Sequence, residues 1–188
     1  MYVNITNACP CACVFCIRNT TDCVGDADSL WLPYEPSLEE IKRAFDERSD
    51  LNQVDEVVFC GYGEPMVRAN DVVDIAKYVK EKSGLRVRIN TNGLIKFLAP
   101  DFDVSALSGL VDSVSVSLNA DDEAEYTRIV NPVFGLVAYN AVIEFIKEAK
   151  QYTSVTATVL EDLGPERIEN CHRIAQALGI PLRVRGYM

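Results

Sequence analysis

Cys9, Cys11, Cys13 and Cys16 stand within eight residues, and Cys23 follows shortly after. Thiols so close cannot all join in relaxed disulfides, which need a fixed separation and dihedral angle. They can surround a metal. Cys9, Cys13 and Cys16 form a C-x3-C-x2-C pattern directly after the first predicted strand. Three thiolates on a tight loop can hold three irons of a [4Fe-4S] cluster, leaving the fourth iron without a protein ligand. An open coordination position marks chemistry rather than structure. Zinc would ordinarily be closed by four ligands, and a second C-x2-C or a Cys/His pair is missing. Cys11 or Cys23 could still supply a fourth thiol, so zinc and an electron-carrying cluster stay open. The ferredoxin run C-x2-C-x2-C-x3-C is absent.

The remaining chemistry-bearing residues are sparse. Cys60 and Cys171 are isolated, and the one histidine, His172, adjoins Cys171 far from the loop. A buried inert thiol is the ordinary fate of an isolated cysteine. The sequence therefore offers no histidine acid or base near the cysteines.

These residues sit in a chain of 188 residues, 48% hydrophobic and 24% charged, with a net charge of −10. That size and balance predict a single globular domain over 1–188 and exclude disorder. The acidic excess argues against non-specific binding to nucleic acid or to an anionic membrane. No apolar run approaches the roughly 20 residues of a membrane span. The start, Met1 to Thr6, lacks the basic and apolar regions of a signal peptide. A cytoplasmic location is the expectation, because free thiols persist in a reducing compartment.

Strand-like and helix-like stretches alternate. Strands are predicted at Tyr2 to Thr6, Asp55 to Cys60, Leu85 to Asn90, Ser113 to Leu118, Ser154 to Leu160 and Pro181 to Gly186. Ser37-Leu38-Glu39-Glu40 fits a capping box opening a helix. Asn70 or Asp71 caps a helix over Val72 to Lys82, and Gly84 closes it. A short helix is predicted over Asp103 to Leu110, and longer ones over Tyr139 to Tyr152 and Glu166 to Leu178. This order implies a parallel sheet with right-handed crossovers, as an open doubly wound sheet or an incomplete barrel.

Strand polarity favours the barrel. Ser115, Ser117 and Asn119 share one face of their strand, and Arg86, Arg88 and Asn90 share one face of theirs. Thr156 and Thr158 alternate with apolar residues, as do Arg183, Arg185 and Tyr187. Fully buried parallel strands would read as continuous apolar runs. One apolar face suits helices; the other suits a wet, ligand-accepting interior. The plainer alternative is that Arg86, Arg88, Arg183 and Arg185 merely pair with Glu56 or Asp55 at the closed end.

At this point the sequence resembles a known family. Asn7-Ala8-Cys9-Pro10-Cys11-Ala12-Cys13-Val14-Phe15-Cys16 is similar to the C-x3-C-x-aromatic-C loop of the radical S-adenosylmethionine (SAM) superfamily. Gly61-Tyr62-Gly63-Glu64-Pro65 resembles its GGEP motif, and Asn90-Thr91-Asn92-Gly93 its T-N-G segment. Ser115-Val116-Ser117-Leu118-Asn119-Ala120 resembles its ribose-binding strand. Each segment ends a predicted strand, where parallel β/α folds build their sites. The Cys-Pro-Cys-Ala-Cys loop and Phe59 to Pro65 look most like the small stand-alone TatD-associated members.

The resemblance implies an α/β fold, an incomplete (β/α)6 parallel barrel open on one side. It implies a [4Fe-4S] cluster on Cys9, Cys13 and Cys16, with SAM on the open iron. Reductive cleavage of SAM would then give a 5′-deoxyadenosyl radical that abstracts a hydrogen atom from substrate, with the cofactor carrying the hard chemistry. Gly61, Tyr62, Gly63 and Glu64 would approach the SAM amino group. Ser117 and Asn119 would meet ribose hydroxyls or the carboxylate, and Asn92 is a weaker contact. Phe15 would pack near adenine or shield the cluster. Arg185 and Tyr187, at the barrel mouth, would reach SAM or substrate. A small electron donor such as flavodoxin or ferredoxin is implied, and a partner or large substrate over the open side. Two departures stand out: Tyr62 replaces the usual glycine, and Cys11 is an extra thiol, expected to be a bystander.

Overall fold

The computed structural model describes residues 1–23 and 29–186. Six strands form one sheet: β1 (Tyr2–Val3), β2 (Glu56–Phe59), β3 (Arg86–Thr91), β4 (Ser113–Ser117), β5 (Ser154–Leu160) and β6 (Leu182–Arg185). All neighbours pair in parallel, and the spatial order equals the chain order. A doubly wound sheet reverses its order at a switch point; this one never does. It winds in one direction, and its first and last strands do not pair, which is an incomplete barrel open on one side.

The helices are α1 (Leu38–Asp46), α2 (Ala69–Ser83), α3 (Ile95–Leu98), α4 (Glu123–Val130), α5 (Val137–Ala149) and α6 (Pro165–Leu178). The apolar strand residues Val57, Phe59, Val87, Ile89, Val114 and Val116 pack beneath them and are at most 1% exposed. The opposite face is polar, with Asn90, Ser115, Thr156 and Thr158 in neighbouring register.

The capping box forms as predicted: the Ser37 hydroxyl accepts from the Glu40 N–H, and the Glu40 carboxylate accepts from the Ser37 N–H at 2.8 Å. Ser37→Ala is expected to destabilise the fold by about 1 kcal/mol in urea unfolding; no change would show that the exposed cap is replaced by water.

Three local expectations are corrected, and one helix was not predicted. Strand β1 stops at Val3, because Asn4, Thr6 and Asn7 turn to bond Leu30, Glu35 and Leu32. Neither Asn70 nor Asp71 caps α2, which is entered directly from a 3-10 turn over Pro65–Arg68, with Asp71 bonding Arg68 instead. Asp103 to Leu110 is only a 3-10 turn at Val104–Leu107. Helix α4, absent from the predicted helices, is capped by Asp122.

Candidate functional site

The cysteine loop leaves β1 at the C-terminal end of the sheet and is held from three sides. Ala8 N–H donates to the Thr6 hydroxyl, and that hydroxyl donates to Glu35 at 2.8 Å. Arg68 donates to the Ile5 and Pro36 carbonyls. On the far side the loop runs along the segment after α4. Val14 N–H donates to Ile129 O at 2.9 Å, Val133 N–H to Pro10 O at 3.0 Å, and Cys11 bridges Pro132. Arg18 ties the loop to the β2 turn, donating to Cys11 O at 3.0 Å and Tyr62 O at 3.3 Å. Glu35, Arg68 and Arg18 were missed in the sequence. No motif marks them, since each acts on backbone that only the fold brings near.

All seven cysteines are free. Cys9, Cys13 and Cys16 are half-buried, whereas Cys11 is 5% exposed. The Cys11 thiol lies against those of Cys9 and Cys13. That contact is the largest cause holding Cys9 down to about 6 and Cys13 below its ordinary value, with Arg18 helping both. Burial pushes Cys16 up. Contact with Cys13 and Cys9, then burial, pushes Cys11 up. Thiolates are the metal-ligating form.

Among the described residues no three Cys, His, Asp or Glu side chains converge as the shell of a single ion. A cluster instead spreads its thiolates over separate irons. The donor set, three half-buried thiols with two depressed, fits that group.

The second-strand motif packs onto this loop. Glu64 N–H donates to Ala8 O at 2.8 Å. A Cβ on Gly63 would lie 2.2 Å from Thr6 O, and one on Gly61 would lie 2.1 Å from the Asn4 side chain. Tyr62 turns away: its ring meets Trp31 edge-on at 4.7 Å and its hydroxyl donates to Thr21 O. The Tyr62 side chain is thus spent on Trp31 and Thr21.

Glu64 is buried and accepts from Met66 N–H at 3.0 Å, Thr91 Oγ1 at 2.7 Å and Asn92 N–H at 2.6 Å. It joins the β2 and β3 turns. Asn92 spends its carbonyl oxygen on Leu94 N–H and points its amide at Cys11 Sγ, 3.8 Å away. Burial lifts Glu64 from 4.5 to about 7 against those three bonds. A carboxyl raised on folding binds its proton more tightly in the native state. Its contribution is thus greatest below about pH 4.5 and falls as pH rises towards 7. Glu64→Gln is expected to flatten the pH dependence of unfolding over that interval; an unchanged slope would place the titration elsewhere.

Beside the loop lies a cavity of about 330 Å³, within the size range of small-molecule sites. Phe15 and Val14 wall one side, Ile129, Leu160 and Leu163 the other, and Asn119 reaches in from the end of β4. Asn119 holds a left-handed φ of 60°, is 5% exposed, and its Oδ1 has no partner. A buried acceptor without a donor costs about 1–3 kcal/mol, so a hydroxyl or amine donating to this oxygen would be favoured. Ser117 ends β4 on the polar face. Arg128, at the cavity rim, is neutralised by Glu125 at 2.6 Å.

The structure thus unites Cys9, Cys13, Cys16, Glu64 and Asn92 at one centre and Phe15 with Asn119 at its flank. Arg185 stands apart on β6. Tyr187 lies outside the described residues. Cys23 is exposed beside Thr21, Cys60 is half-buried on the inner face, and Cys171 is buried in α6, pushed up to about 12 by burial. None of these three joins the loop. Among the described residues no helix is long and apolar enough to cross a membrane.

The family model of the Radical SAM superfamily matches residues 3–178. A probable dual-specificity RNA methyltransferase RlmN of Chlorobium phaeobacteroides is 30% identical over 128 residues, 65% of this chain and 34% of that protein. The 7,8-dihydro-6-hydroxymethylpterin dimethyltransferase of Methanocaldococcus jannaschii is 32% identical over 93 residues, 49% of this chain and 17% of that protein. Among solved structures, TYW1 with a lysine-pyruvate adduct shares the fold with a TM-score of 0.63 at 15% identity, over 96% of this chain and 62% of that one. The chain spans about a third of the RNA methyltransferase and a smaller share of the pterin enzyme.

Proposed function

Because the chain belongs to the radical SAM superfamily, we propose that it is an enzyme that cleaves SAM reductively and abstracts a hydrogen atom from a substrate. Members of this family use a [4Fe-4S] cluster and SAM, and the cysteine-rich loop is consistent with both. The observation that carries the proposal is the meeting of two features at one end of the barrel. One is a three-thiol loop with depressed thiols; the other is an adjoining cavity with an orphaned Asn119 oxygen.

When bound, the cluster and SAM would supply one-electron cleavage of the sulfonium and a hydrogen-abstracting radical. The chain's own residues do the rest. Cys9, Cys13 and Cys16 would hold the irons. Cys11 would donate a hydrogen bond to the loop's thiolates. Gly61 and Gly63 let the β2 turn lie against the loop, so its backbone carbonyls reach the site edge. Glu64 fixes that turn to β3 through Thr91 and Asn92. Asn119 and Ser117 would bond ribose hydroxyls, and Phe15 with Leu160 and Leu163 would exclude water from an adenine.

The narrower placement among TatD-associated proteins rests on the Cys9 to Cys16 loop and Phe59 to Pro65. The relatives are named for RNA and pterin methylation. A net charge of −10 disfavours loose RNA binding, so we favour a small or precisely docked substrate. We place the enzyme in the cytoplasm with a flavodoxin-like or ferredoxin-like donor, on the strength of its free thiols and its need for an electron.

Adding SAM to the reduced, reconstituted protein is expected to change the cluster's electron paramagnetic resonance spectrum. An unchanged spectrum would favour the competing reading, a non-catalytic iron–sulfur or zinc protein with Cys11 closing the ligand shell.

A further inference from the structure

The inner face carries two arginines with no task in the cysteine loop. Register sets Arg183 beside Thr158 and Arg185 beside Leu160. Pairing with Glu56 or Asp55, the simplest fate for the four inner-face arginines, holds among the described residues for Arg88 alone, at 2.8 Å from Glu56. Arg185 Nε is buried and has no partner there. The nearest acid to the strand end is Glu161, 3.6 Å from where a Cβ on Gly186 would sit, and it pairs with neither arginine. Burial, then repulsion from Arg183, disfavours the Arg185 charge, while the Cys60 thiol on β2 favours it. The Arg185 side chain therefore reaches inward, towards the polar face that Cys60 shares with Asn90.

A guanidinium nitrogen buried without an acceptor is costly, and the Arg185 Nε is one on a side chain that is otherwise half-buried. Arg183, on the same strand face, is exposed and adds a second positive charge nearby. In a chain of net charge −10 a carboxylate partner would be easy to supply, so its absence here is a local feature. The planar fork of arginine matches carboxylate and phosphate oxygens in pairs. Leu160, the register partner of Arg185, also walls the Asn119 cavity. Arg185 thus stands beside a wall residue of that cavity without lining it itself.

We propose that Arg185, supported by Arg183, receives an anionic oxygen group of the substrate, a carboxylate or a phosphate. The inference rests on the radical SAM reading for where substrate lies. The methionyl carboxylate of SAM offers the same chemistry, so the test separates the two sources. Pyrophosphate and SAM are titrated calorimetrically into reconstituted protein as wild type, Arg185→Gln, Arg185→Lys, Arg183→Gln and the exposed control Arg43→Gln. Pyrophosphate is titrated into the cluster-free protein as well.

The expected result is pyrophosphate binding that is equal in wild type and Arg43→Gln. It falls at least tenfold in Arg185→Gln, and by a smaller factor in Arg185→Lys and Arg183→Gln. SAM affinity stays within twofold throughout. Absent pyrophosphate binding in wild type, or equal binding in the Arg185 variants, would overturn the proposal. So would a parallel loss of SAM affinity, which would assign the fork to the cofactor. Should Arg185→Gln fail to fold, Arg185→Lys decides, because it keeps the charge and removes the fork. Failure of SAM to bind any variant would count against the radical SAM reading, while the cluster-free pyrophosphate titration would still read the anion site.

Discussion

Alanine at Cys9, Cys13 or Cys16 is expected to reduce reconstituted iron from a full cluster to background, while Cys11→Ala retains the cluster. Three ligands on one short loop have no redundancy, and each thiolate lost leaves an iron open to water. Cys11 is the nearest spare thiol, yet it is 5% exposed and lies against Cys9 and Cys13. Its removal takes away the main cause that lowers Cys9 to about 6. The Cys9 pKa should then rise, so Cys11→Ala should load iron only at higher pH than wild type. Iron and sulfide analysis over pH 6–8 measures both effects. A cluster that survives Cys9→Ala but not Cys11→Ala would reassign the ligands.

The second large effect is expected at Gly63. Its missing Cβ leaves room for the Thr6 carbonyl at 2.2 Å and the Ala8 carbonyl at 2.8 Å from the Cβ position. Both are backbone atoms, and Ala8 O also accepts from Glu64 N–H. Overpacking ordinarily costs about 1–3 kcal/mol. Here nothing flexible can yield, so Gly63→Ala should reach the top of that range or exceed it and displace the root of the cysteine loop. At Gly61 the obstacle is the Asn4 side chain. Asn4 can rotate, at the loss of its 2.8 Å bond to Leu30 O. Gly61→Ala should therefore cost less in thermal unfolding and keep more iron. Equal losses at both positions would show that the β2 turn, rather than the Thr6 contact, sets the loop.

Much of this was legible in residue order. The alternation of Arg86, Arg88 and Asn90 with Val87 and Ile89 announced a two-faced strand, because side chains in a strand alternate strictly. The uniform winding from β1 to β6 was consistent with the pattern but not demanded by it, since neighbour order is settled by tertiary packing. The cysteine spacing placed the loop. It did not show that Cys11 lies against two of the thiols, because that depends on the loop's fold against residues 129–133. Nor could it show that Glu64 would be held by Thr91 and Asn92, which lie a strand away. The fates of Arg88 and Arg185 diverge for the same reason: identical residues on one face, with only one meeting a carboxylate.

The central claim is that the cysteine loop and the Asn119 cavity together make a SAM-cleaving centre. Anaerobically reconstituted, chemically reduced protein supplied with SAM should form 5′-deoxyadenosine, and Asn119→Ala should slow that formation without loss of iron. A full cluster that yields no 5′-deoxyadenosine under strong reduction would contradict the account.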